Sequence, residues 1–137
     1  MTSPPPAPGT DADGSAIAGL LDEARRDMDR VGPDQLAAEV DAGALVVDLR
    51  PRERRTTDGE LPGALVVDRL VLEWRLDPTS PHQLPEADAD RRVVLVCNEG
   101  YSSSLAAATL RRLGVRRATD LDGGYLALRD AGLVPPA

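Results

Sequence analysis

Cys97 is the only cysteine in the chain, and its neighbours are residue types that make a thiol reactive. It follows Arg92-Val93-Val94-Leu95-Val96 and precedes Asn98-Glu99-Gly100-Tyr101-Ser102-Ser103-Ser104, after which Leu105-Ala106-Ala107-Ala108 begins. The β-branched run reads as a buried strand and the Ala/Leu-rich run as a helix. The polar residues between them, with Gly100, suit a tight loop whose backbone N–H groups point inward beside a helix N-terminus. Such a cradle favours anions, so a thiol at its mouth ionises more readily. Covalent chemistry on sulfur is what this pattern points to.

The rest of the chain must place that loop. Residues 1–14, rich in Pro, Gly and Asp, are expected to be a disordered tail. Ser15 is placed to cap a helix running to about Arg30, with Ile17, Leu20, Leu21, Ala24 and Met28 on one face. Gly32-Pro33 ends it, and a second helix with Leu36, Ala37 and Val40 as its stripe closes at Gly43. Strands are expected over 44–48, 64–67, 93–96 and 117–121. An arginine-rich loop with room for a short helix lies between the first two, and 71–76 suits a helical turn with Trp74 as a core or lid residue. Helices are expected over 105–113 and 125–131, closed by Gly114 and Gly132. Strands alternating with helices predict a mostly parallel sheet covered on both faces, with ligands beyond the strand C-termini, where Cys97 falls.

Composition narrows the function. A chain of 137 residues suits one domain, and a net charge of −7 argues against nucleic-acid and anionic-membrane partners. One cysteine forms no internal disulfide, and with His82 as the single histidine there is no zinc cluster. The N-terminus has neither the basic nor the apolar region of a signal peptide, and no run approaches the ~20 apolar residues of a membrane span. With a free thiol, the expected location is the cytoplasm.

Four motifs in order give the chain a family likeness. They are Val47-Asp48-Leu49-Arg50, Gly59-Glu60-Leu61-Pro62-Gly63-Ala64, Cys97-Asn98-Glu99-Gly100-Tyr101-Ser102-Ser103, and Asp122-Gly123-Gly124-Tyr125 with Gly132-Leu133. Together the chain resembles a single-domain rhodanese, a member of the sulfurtransferase family, with residues 33–134 as the family core and 15–30 as a helical extension of a domain spanning 15–137. The resemblance implies an α/β rhodanese-like fold with about five strands. It implies that Cys97 carries a sulfane sulfur as a persulfide, taken from thiosulfate or a persulfide donor and passed to a thiol, cyanide or protein acceptor, with no cofactor or metal. Asn98, Glu99, Gly100, Tyr101, Ser102 and Ser103 would line the substrate site, the two serines also capping the following helix. Arg69, just past a strand end, is placed to add positive charge, while Asp48 and Arg50 read as a structural pair near the site. Two departures stand out: Glu60 replaces the family's histidine, and the cysteine loop has no basic residue but does have Glu99. Glu99 keeps an alternative open, a catalytically inactive binding or redox-sensing module. A Cys-loop phosphatase is disfavoured, because Ser102 and Ser103 stand where a phosphate-clamping arginine belongs.

Overall fold

The computed structural model describes residues 13–137, so the expected tail lies outside the described residues except for Asp13 and Gly14. Four strands, β1 (Leu45–Asp48), β2 (Leu65–Val66), β3 (Val93–Val96) and β4 (Ala118–Asp120), form a parallel sheet in the order β2-β1-β3-β4. Val31 adds one parallel bridge to Leu121, so a single residue stands in the place of a fifth strand. β3 is apolar at every position, and β1 at every position but its last, Asp48, because both faces are covered. Val47, Leu49, Val93 and Leu95 face one core with Leu72, Leu76, Ala106, Ala107 and Leu110. Val46, Val94 and Val96 face the other with Val31, Leu36, Leu61, Tyr125 and Leu128.

Among the described residues six α-helices surround the sheet: α1 (Ala16–Arg25), α2 (Leu36–Asp41), α3 (Arg52–Asp58), α4 (Leu72–Leu76), α5 (Ser102–Arg112) and α6 (Gly124–Asp130). Ser15 caps α1 as expected, its hydroxyl accepting from the Ala18 N–H at 3.1 Å. The helix stops short of Arg30, however, and only part of the expected face is buried. Leu21 is buried as expected, together with Ala18, whereas Ile17 and Leu20 are 53% and 50% exposed. The early end frees residues 28–31 to turn back toward the sheet. Met28 then enters the core, and Val31 exchanges backbone hydrogen bonds with Asp120 and Asp122 at 3.0 and 2.8 Å. Trp74 is 58% exposed on α4 and is not a core residue. Among the described residues no helix is long and apolar enough to cross a membrane.

The turn between α1 and Val31 is tied to the start of β3 by charge. Arg92 approaches Asp29 at 3.0 Å and Glu39 at 3.1 Å. Burial works against the Asp29 carboxylate, but the hydrogen bond and charge of Arg92, with help from the Asp29 backbone and from Arg111, outweigh it and hold its pKa below the ordinary 3.8. A lowered folded pKa contributes stability that is complete above the unfolded value and is lost as pH falls through the folded one. Wild type is therefore expected to unfold at higher denaturant than Asp29→Asn near neutrality, with the two curves converging below pH 3.8. A gap that does not change with pH would assign the effect to packing instead.

Candidate active site

Cys97 follows β3 directly and is 7% exposed. Its sulfur receives the Gly100 N–H at 3.1 Å and lies 3.1 Å from the Ser103 hydroxyl. The loop's carbonyls are taken up from outside it. The Cys97 oxygen accepts from the Tyr125 N–H at 2.9 Å and the Asn98 oxygen from the Leu126 N–H at 3.1 Å. The Gly100 oxygen accepts from Nη2 of Arg25 and of Arg30, each at 2.9 Å. In a trans peptide the next N–H points opposite to the carbonyl. The amides of Asn98, Glu99 and Tyr101 are thus turned away from α6 and the two arginines, and the first N–H groups of α5 have no partner within their own helix. An inward-facing set of amides is the local arrangement that holds an anion.

A polar chain runs beneath the sulfur. The Ser103 hydroxyl donates to Asp120 Oδ2 at 2.7 Å, and Ser104 donates to the same oxygen at 2.8 Å. Arg30 grips Asp120 through Nε at 2.8 Å and Nη2 at 3.1 Å. Asp120 is fully buried, so this fork of charged hydrogen bonds is what allows a carboxylate there. Ser102 and Ser103 do not cap α5: Tyr101 is its N-cap, with no side-chain cap bond, the two serines lie within the first turn, and the buried carboxylate takes the Ser103 and Ser104 hydroxyls.

The remaining expected residues fall in three places. Glu99 and Ser102 are exposed, Asn98 is half-buried with Oδ1 lacking a partner among the described residues, and Tyr101 is half-buried with the Arg25 guanidinium 6.0 Å from its ring. Asp48 and Arg50, both buried, pair at 2.9 Å beyond β1. Arg50 also donates to the Gly59 oxygen at 2.9 Å and lies 3.8 Å over the Tyr125 ring, so the pair joins β1, the turn before β2 and α6. Arg69 is paired with Glu73 at 2.9 Å, one helical turn on. Glu60 is exposed and accepts from Arg55 at 3.2 Å. Sequence reading missed Arg25, Arg30 and Asp120. The signal that could have found them is an acidic residue at the end of an expected strand, Asp120 before Leu121, which when buried needs a cationic partner.

The rhodanese-like domain profile matches residues 32–131, and the chain belongs to that family. It is 32% identical over 99 residues to thiosulfate sulfurtransferase GlpE of Stutzerimonas stutzeri, covering 72% of this chain and 83% of that one. Human single-domain sulfurtransferase TSTD1 superposes with a TM-score of 0.60 at 25% identity, covering 74% of this chain and 95% of that one. RPA3614 of Rhodopseudomonas palustris, a protein of unknown function described as a possible tyrosine phosphatase, superposes with a TM-score of 0.80 at 31% identity, over 90% of this chain and 96% of that one. The named relatives support a rhodanese-type sulfurtransferase.

The Gly123-Gly124 turn explains how α6 comes so close to the cysteine loop. A Cβ on Gly124 would lie 2.6 Å from the Asn98 carbonyl and 2.7 Å from the Cys97 oxygen, at a backbone φ of +67°. Gly124→Ala is therefore expected to destabilise the fold by on the order of 2 kcal/mol or more, from backbone strain and overpacking together. Denaturant unfolding checks this, and wild-type stability would mean that the contact relaxes freely.

Proposed function

We propose that this protein moves a sulfane sulfur from thiosulfate or a persulfide to a thiol, cyanide or protein acceptor through a Cys97 persulfide. The observation that carries the reading is the Cys97 sulfur seated under the Gly100 N–H, in a loop whose carbonyls are drawn outward. The Cys97 thiolate attacks the outer sulfur of the donor. A new S–S bond forms at Sγ, the donor's own S–S bond breaks, and sulfite or a thiolate leaves with the electron pair. The terminal sulfur of the persulfide carries negative charge, and the inward amides of residues 98–103 stabilise it as an oxyanion hole stabilises oxygen. An acceptor thiolate or cyanide then attacks that sulfur and returns Cys97 to its thiolate.

In this reading Asn98, Gly100, Tyr101, Ser102 and Ser103 line the donor's path, while the charge of Arg69 is taken up by Glu73. Asp48 and Arg50 hold the surrounding turns. The cytoplasm is the compartment that suits a free, reduced Cys97. Phosphate-ester chemistry is the weaker reading, because Ser102 and Ser103 stand at the end of the loop where an arginine would clamp the ester.

Intact mass after incubation with thiosulfate or a persulfide donor tests the proposal. Wild type should gain one sulfur atom, and Cys97→Ser, still folded, should gain none. Uptake by Cys97→Ser, or none by wild type with either donor, would sink the mechanism and favour a binding or redox-sensing module.

Glu99 sets the donor preference. It is exposed beside the loop, and a like-charge contact with dianionic thiosulfate costs on the order of 1–3 kcal/mol, or roughly tenfold to a hundredfold in kcat/KM. Glu99→Gln should improve thiosulfate turnover more than persulfide turnover, and added salt should narrow the difference by screening. Steady-state kinetics with both donors at two ionic strengths decide it. A wild-type preference for thiosulfate with no benefit from the substitution would remove this role.

A further inference from the structure

Two arginines from outside the matched family segment reach into the cysteine loop. Arg25 ends α1 and Arg30 precedes the Val31 bridge, whereas the family match begins at residue 32. Both guanidinium groups donate to one oxygen, that of Gly100, at 2.9 Å. Each is also anchored at its other side. Arg25 Nε donates to the Ser104 hydroxyl at 2.9 Å, and Arg30 forks onto the buried Asp120. We propose that Arg25 and Arg30 are positioning residues for sulfur transfer, aligning the peptide between Gly100 and Tyr101 so that its N–H faces the transferred sulfur. The proposal rests on the sulfurtransferase reading above.

The physical argument has three steps. A carbonyl oxygen has two lone pairs, and here charged donors, which make stronger bonds than neutral ones, approach it from two directions. That fixes the direction of the oxygen, and planarity then fixes the direction of the Tyr101 N–H on the opposite side. Gly100 needs such an external hold. It adopts a φ of +87°, and a Cβ there would lie 2.8 Å from the Gly123 nitrogen, so the position requires the residue with the loosest backbone. Neither guanidinium has to touch the donor or acceptor. Their effect is on how well one amide is aimed when negative charge builds up on sulfur, which is a contribution to the rate of transfer rather than to donor binding.

The test compares Arg25→Ala and Arg30→Lys with wild type and with Arg26→Ala, a substitution at the exposed neighbour of Arg25. Arg30→Lys keeps a cation beside Asp120 but lacks the fork that spans Asp120 and the Gly100 oxygen. Sulfur uptake at Cys97 is followed in a single turnover by intact mass as donor concentration is varied. Each of the two variants is expected to lower the saturating uptake rate about tenfold, less than the loss from deleting an oxyanion-hole donor outright, with the half-saturating donor concentration unchanged. Millimolar guanidinium should restore part of the Arg25→Ala rate, and Arg26→Ala should match wild type. Hydrogen exchange should quicken at residues 98–101 in both variants and stay unchanged in β3. Unchanged uptake and exchange in both variants would overturn the proposal. A rate loss accompanied by exchange throughout the sheet and no guanidinium rescue would also overturn it, leaving a structural role. No uptake by wild type would instead count against the sulfurtransferase reading, and the exchange measurement would still judge the clamp.

Discussion

Because a trans peptide points its oxygen and its hydrogen in opposite directions, the donors that surround the loop after β3 decide what the loop presents to its centre. α6 draws out the carbonyls of Cys97 and Asn98, and the arginines of the N-terminal segment draw out that of Gly100. Much of the remaining architecture follows from this. Two glycines at 123 and 124 bring α6 close enough to reach those carbonyls, and the Asp48–Arg50 pair with the Tyr125 ring fixes α6 to the end of β1. The early end of α1 brings Arg30 over β4. The cysteine loop has little regular structure of its own, and its shape is set by elements that surround it.

Charge is handled in a similar way. The loop carries no basic side chain, yet two guanidinium groups lie against its outer surface. Both buried carboxylates near the site, Asp48 and Asp120, are met by an arginine in a two-point contact. Buried pairs of this kind add little net stability compared with apolar packing, but breaking one leaves a stranded charge. Their value here is directional: each allows one arrangement of the neighbouring turns.

The sheet was legible because its central strands are buried on both faces, so Val46-Val47 and Val93-Val94-Leu95-Val96 stand out as continuous apolar runs. The cysteine loop was legible because a strand signal and a helix signal meet there within a few residues. The long-range contacts were not. Ile17 and Leu20 fit an amphipathic pattern with Leu21, but α1 buries Leu21 and the small Ala18 and leaves the other two exposed. The serines at the start of α5 suit a helix cap in isolation, and only the position of Asp120 shows why two of them serve a carboxylate instead. Arg25 and Arg30 read as solvated helix charges because nothing local indicates a partner 75 or 70 residues away.

Those sequence separations carry a consequence for the order of folding. Arg30 meets Asp120 across 90 residues, so the contact waits for the closure of most of the chain. The strand and helix that flank Cys97 are neighbours in sequence and pair early by comparison. A partly folded chain therefore carries Cys97 without the surroundings described above, which are completed only when the segment before β1 has docked on β4.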